Sequence, residues 1–186
     1  MNRLAKLGHM AAITVMSTLG SAHAADSPED LVADLQGALQ QHDLDLYASL
    51  LAQDFEHWSF CENESRADEL SAMSTVFASS AVEIFPARAD ILFSDTNTAQ
   101  IIFEFEAELA GDNPTIEVTA SDLLRVTRVD GEWVVSFWIE TYEEAPVCGT
   151  GSPVSWTDAR SHWIAGLPTI VFSSSYGQLK AQILAN

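Results

Sequence analysis

Apolar residues keep a helical period through the first third of the chain and a period of two from Val82 onward. Leu31, Leu35, Ala38 and Leu39 line one face of a first helix, as steps of three and four residues require. Ser27-Pro28-Glu29-Asp30 reads as its start, with Ser27 as cap, Pro28 at the first helical position and acids in the first turn. A break at Gln41-His42 leads to a second short helix, capped by Asp43, whose buried face is Leu46, Tyr47, Leu50 and Leu51. A third helix is expected from Ser65, turning Leu70, Met73 and Phe77 inward.

Beyond Val82 the pattern alternates. Ile101, Phe103, Phe105, Ala107 and Leu109 share one face and Glu104, Glu106 and Glu108 the other, the mark of a strand with one wet side. After the turn cluster Gly111-Asp112-Asn113-Pro114, a second alternation runs through Ile116, Val118, Ala120, Asp122, Leu124 and Val126. Asp130-Gly131 signals a hairpin before a last long strand, Trp133 to Tyr142. Helices followed by an antiparallel meander place the chain in the α+β class.

Both ends differ from this middle. Arg3 and Lys6 precede an apolar run from Met10 to Leu19 and the small-residue site Ala22-His23-Ala24, which reads as a signal peptide over residues 1–24. The run is too short to span a hydrocarbon core of roughly 30 Å, so export to the periplasm or the medium is expected, with no membrane insertion after cleavage. The domain proper is placed at 25–146. Residues 147–186 form a C-terminal extension made apolar by Trp156, Trp163, Ile164, Leu167, Ile170, Val171 and Phe172, expected to pack on the domain.

Composition narrows the function. Of 186 residues, 47% are apolar, enough for a globular core, and the net charge is −19. Such a charge repels nucleic-acid phosphates and anionic membrane surfaces, which removes both as partners. Cys61 and Cys148, alone in an exported chain, are most simply one disulfide. The competing reading, a nucleophilic Cys148 beside Gly149-Thr150-Gly151, lacks a neighbouring histidine in sequence. No zinc, calcium, nucleophile-elbow or phosphate-loop motif occurs, so neither metal nor cofactor is expected.

The order of elements, Ala48-Ser49-Leu50-Leu51-Ala52-Gln53-Asp54-Phe55 at the end of the second helix, and Ser121-Asp122-Leu123-Leu124-Arg125-Val126 leading to Asp130-Gly131-Glu132-Trp133 carry a resemblance. Over residues 28–144 the chain resembles the nuclear-transport-factor-2-like superfamily, which includes SnoaL-like and ketosteroid-isomerase-like proteins. The resemblance implies helices packed in a curved antiparallel sheet (a cystatin-like cone), an apolar pocket inside it, and a homodimer formed through the sheet. Ketosteroid isomerases use a base aspartate with a tyrosine and a protonated aspartate as oxyanion hole. Asp122 matches the protonated acid, but the base position reads Ser59 and the tyrosine position Leu35, so that mechanism is not expected.

Three residues remain as candidate acids and bases. Asp122 falls on the apolar face of its strand, where a carboxyl must be paired, bonded or protonated. Glu140 shares its cavity if Val134, Ser136, Trp138 and Glu140 point inward. The opposite register turns Trp133, Val135, Phe137 and Ile139 inward and leaves Glu140 in water. His57, read as a loop residue after the second helix, is a candidate general acid or base. Trp58, Asp122, Ser136, Trp138 and Glu140 are the expected ligand-binding set. The leading expectation is an exported protein binding a small, partly apolar molecule, with a cofactor-free isomerase, dehydratase or cyclase as the alternative and a protein-interaction module as a third reading.

Overall fold

The computed structural model describes residues 25–58, 63–79, 82–110, 116–140, 157, 160 and 171–173. The signal segment and the pair Cys61 and Cys148 lie outside these residues.

Each helix begins where a side chain can satisfy its free amides. In α1 (Pro28–Gln41), Ser27 Oγ accepts from the Asp30 amide at 3.1 Å. The helix stops at His42, which takes the left-handed conformation with φ 53° and stacks its ring on Phe77 at 5.3 Å. In α2 (Leu44–Ser49), Asp43 Oδ1 accepts from Leu46 N at 2.9 Å. Ser65 and Asp68 cap α3 (Arg66–Ala78) reciprocally, side chain to backbone in both directions. A cap of this kind is worth about 1 kcal/mol, which matters most for α2, a helix of 6 residues.

The sheet comprises β1 (Leu51–Trp58), β2 (Asn63–Ser65), β3 (Val82–Ser94), β4 (Thr98–Leu109), β5 (Ile116–Val129), β6 (Glu132–Glu140) and β7 (Val171–Ser173). Their order is β2-β1-β6-β5-β4-β3. Consecutive long strands pair antiparallel, whereas β1 runs parallel to β6 and β7 parallel to β5. The sheet is therefore mixed, which corrects the expectation of an antiparallel sheet. The physical reason is β1: α2 ends at Ser49, and Leu51–Trp58 continues as a strand beside β6 rather than as loop. β7 meets β5 at Glu117–Thr119, beyond the stretch Asp122–Val129 that β6 covers.

The sheet curls around α1 and α3. Leu31, Leu35, Leu39, Met73, Val76 and Phe77 from the helices meet Ile101, Phe103, Phe105 and Leu109 of β4 in one buried cluster. Burying each large side chain contributes roughly 1.5–3 kcal/mol. The alternation of β4 stands as expected, with Glu106 and Glu108 exposed. Leu70, expected inside, is only half-buried, and its neighbour Glu69 takes the interior position.

Turn and bulge chemistry decides what β6 turns inward. Asp130 at φ 53° and Gly131 at φ 95° make the tight hairpin between β5 and β6. The register then runs Val126 to Val135 and Arg125 to Phe137, leaving Ser136 as an extra residue. This β-bulge changes the phase of the strand. Before it Trp133 and Val135 are buried, and after it Trp138 and Glu140 are buried. The alternative registers read from sequence are each correct on one side of Ser136.

Candidate functional site

Asp122 and Glu140 are direct partners across the β5–β6 pair, 2% and 6% exposed. Asp122 Oδ2 accepts a 2.6 Å hydrogen bond from the Trp138 indole Nε1. Trp138 in turn packs edge-on against Phe103 and Phe105, with centroids at 5.8 and 6.2 Å. Asp122 thus orients an aromatic wall of the interior. Ser136 turns its hydroxyl back to the Arg125 carbonyl at 3.1 Å, closing the bulge. Trp58 is 43% exposed and packs edge-on against Phe137 at 5.7 Å, on the face of β1 opposite His57. The structure does not bring it to the Asp122–Glu140 pair.

His57 is the centre of the interior. It lies on β1, not in a loop, and is 1% exposed. The β1–β6 register sets it beside Trp138, ring centroids 5.9 Å apart, and the β1–β2 register sets it beside Glu64. Its Nδ1 lies 3.0 Å from Glu69 Oε2, and its Nε2 lies 3.3 Å from Glu140 Oε1. The Tyr47 hydroxyl donates to the other Glu69 oxygen at 2.6 Å.

Thr157 and Arg160 complete the cluster. Glu140 Oε1 accepts from the Thr157 amide at 2.7 Å and from its hydroxyl at 3.1 Å. Arg160 places Nη2 2.7 Å from Glu64 Oε2 and Nη1 3.0 Å from Glu69 Oε2. The guanidinium also lies 3.4 Å from His57 Nδ1. His57, Glu64 and Glu69 offer metal-compatible atoms within 4.8 Å of one another. In this arrangement the guanidinium shares both glutamates with the His57 ring.

The charges follow from these distances. Burial opposes a charged His57, but its bonds to Glu140 and Glu69, and their charges, outweigh it and raise the imidazole to about 9. Burial likewise opposes a charged Glu69. Arg160, His57 and the Tyr47 hydroxyl prevail and hold its carboxyl down at about 2. Burial pushes Glu64 up against the pull of Arg160. Both shifts favour an imidazolium beside the Glu69 carboxylate at neutral pH.

Tyr47, Glu64, Glu69, Thr157 and Arg160 were not among the sequence candidates. Glu69 left a signal: with Met73, Val76 and Phe77 it sits on the buried stripe of α3, where a carboxylate needs a partner. Tyr47 was expected to be buried, and a buried phenol also needs one. Thr157 and Arg160 left none, because they meet His57 across 100 and 103 residues of chain. Separately, an open cleft of about 420 Å³ lined by Gln40, His42, Val82, Glu83, Ile84 and Phe85 shares no residue with this cluster.

No protein-family model matches the sequence, and no curated protein does. Solved structures do. A candidate aromatic ring hydroxylase from Novosphingobium aromaticivorans superposes with a TM-score of 0.54 at 17% identity, covering 70% of this chain and 92% of that one. A candidate scytalone dehydratase from the same organism gives 0.53 at 14% identity, covering 67% and 92%. A candidate dehydratase of the NTF2-like family from Streptomyces avermitilis gives 0.50 at 12% identity, covering 64% and 93%. Together with the helices seated in a curled, unclosed sheet, these likenesses establish that the chain has the cone-shaped α+β fold of the nuclear-transport-factor-2-like proteins.

Proposed function

We propose that the protein is a cofactor-free proton-transfer catalyst of dehydratase or isomerase type, with His57 and Glu140 as its acid and base. The observation that carries this reading is the buried His57 held between Glu69 and Glu140 at 3.0 and 3.3 Å. Two likenesses of the same fold are themselves named as dehydratases.

The geometry supports a balanced cycle for a substrate with a hydroxyl one carbon from an acidic C–H. Glu140 takes the proton from carbon, the electron pair forms the double bond, and the C–O bond breaks. His57 gives its Nε2 proton to the departing oxygen, which leaves as water. The proton on Glu140 then crosses to the neutral imidazole and restores the starting state. Glu69 keeps the Nδ1 side of the ring fixed, and Trp138 offers the substrate an apolar face.

A second reading is binding without turnover. It is favoured by Thr157 and Arg160, which already engage Glu140 and Glu69. Deuterium incorporation from D2O into a panel of neutral, anionic and cationic 3-hydroxy carbonyl compounds separates the two. Exchange above background that is lost in both His57→Gln and Glu140→Gln supports the enzyme. Equal exchange in all forms overturns it. We further propose that the chain acts after export and as a homodimer, which N-terminal sequencing and light scattering of protein from its own host would test.

A further inference from the structure

The cup around His57 is filled by a cation from its own chain. Glu64, Glu69 and Glu140 face it, and the positive charges within reach are His57 and Arg160. Without the guanidinium, Glu64 and Glu69 would share His57 as their one counter-charge, with the Tyr47 hydroxyl still on Glu69, and two carboxylates sharing a single buried cation are disfavoured. A neutral or anionic occupant would leave them in that state. A guanidinium or primary ammonium would not.

One wall of the cup is less buried than the rest. Glu64 lies on β2, the edge strand of the sheet, and its side chain is 17% exposed, whereas His57 and Glu69 are at 1%. A planar, forked donor suits paired carboxylates better than a point charge does, and Arg160 bridges Glu64 and Glu69 in that manner.

We propose that this cup selects small organic cations, guanidinium or primary ammonium compounds, and that Arg160 is the tethered group such a ligand displaces. The proposal rests on the reading that the interior around His57 is the substrate site, and it narrows the substrates to molecules bearing a basic nitrogen.

The test uses the full chain with Arg160→Met, which keeps an unbranched stem and removes the charge. Titration calorimetry compares methylguanidine with methylurea, its near-isosteric neutral counterpart, and with acetate. The variant is expected to bind methylguanidine at least about tenfold more tightly than methylurea, with no binding of acetate. Adding Glu64→Gln is expected to abolish that preference. Equal affinity for methylguanidine and methylurea, or binding of neither, overturns the proposal. If Arg160→Met does not fold unaided, recovery of folded protein is scored instead: recovery with methylguanidine alone supports the proposal, and recovery with both or neither overturns it. The readout is binding, so a cation-selective cup without deuterium exchange retires the enzyme and keeps the cup. Exchange confined to uncharged substrates retires the cup and keeps the enzyme.

Discussion

Asp122 and Glu140 stand opposite each other across β5 and β6, yet their carboxyl groups serve different neighbours. Asp122 holds the Trp138 indole at 2.6 Å, while Glu140 takes the Thr157 amide at 2.7 Å and stands 3.3 Å from His57. One carboxylate positions a wall of the interior. The other faces its titrating centre.

That division predicts a difference between substitutions at Asp122. Asp122→Asn keeps an acceptor for the indole and is expected to change stability little. Asp122→Leu leaves a buried N–H unsatisfied, at a cost of about 1–3 kcal/mol. Urea denaturation midpoints of the two variants check this, and equal midpoints would count against the orienting role.

Stability should depend on pH from both sides of the cluster. His57 is raised from 6.5 to about 9, so its contribution is complete below about 6.5 and is lost as pH rises through about 9. Glu69 is lowered to about 2, so its contribution is complete above about 4.5 and is lost as pH falls toward 2. Both are complete between roughly pH 4.5 and 6.5. Denaturation from pH 3 to 10 should show a plateau in that window, and His57→Gln should flatten its alkaline slope.

Glu69→Gln removes the carboxylate that His57, Arg160 and Tyr47 share. Leaving buried charges without this partner is expected to cost about 3–5 kcal/mol. In the folded fraction, the midpoint of His57 followed by NMR should fall from about 9 toward the ordinary imidazole range. An unchanged midpoint would show that Glu140 alone sets it.

Ser136 separates the phases of β6. Ser136→Ala loses its bond to the Arg125 carbonyl and should cost about 1 kcal/mol. Deleting Ser136 removes the bulge and leaves Trp133, Val135, Trp138 and Glu140 in one unbroken alternation on the inner face. Circular dichroism and soluble yield should report both variants folded, and an unfolded deletion would show that the sheet needs the bulge to curl.

What the sequence by itself determined is local. Ser27, Asp43 and Ser65 are caps because their side chains reach amides three residues on, and Asp130-Gly131 is a tight turn because its backbone needs positive φ. The buried face of β4 follows from strict alternation. Asp122 was legible as a carboxyl on an apolar face. Tertiary structure decided the rest. Leu51–Trp58 became a strand because β6 offered it a parallel edge, which moved His57 from an expected loop into the core. The bulge at Ser136 settled the inward register of Glu140, since the residue of β6 left without a partner is decided by its pairing with β5. Arg160 reached His57 from 103 residues away, a meeting that only the folded chain and the glutamates around His57 could arrange.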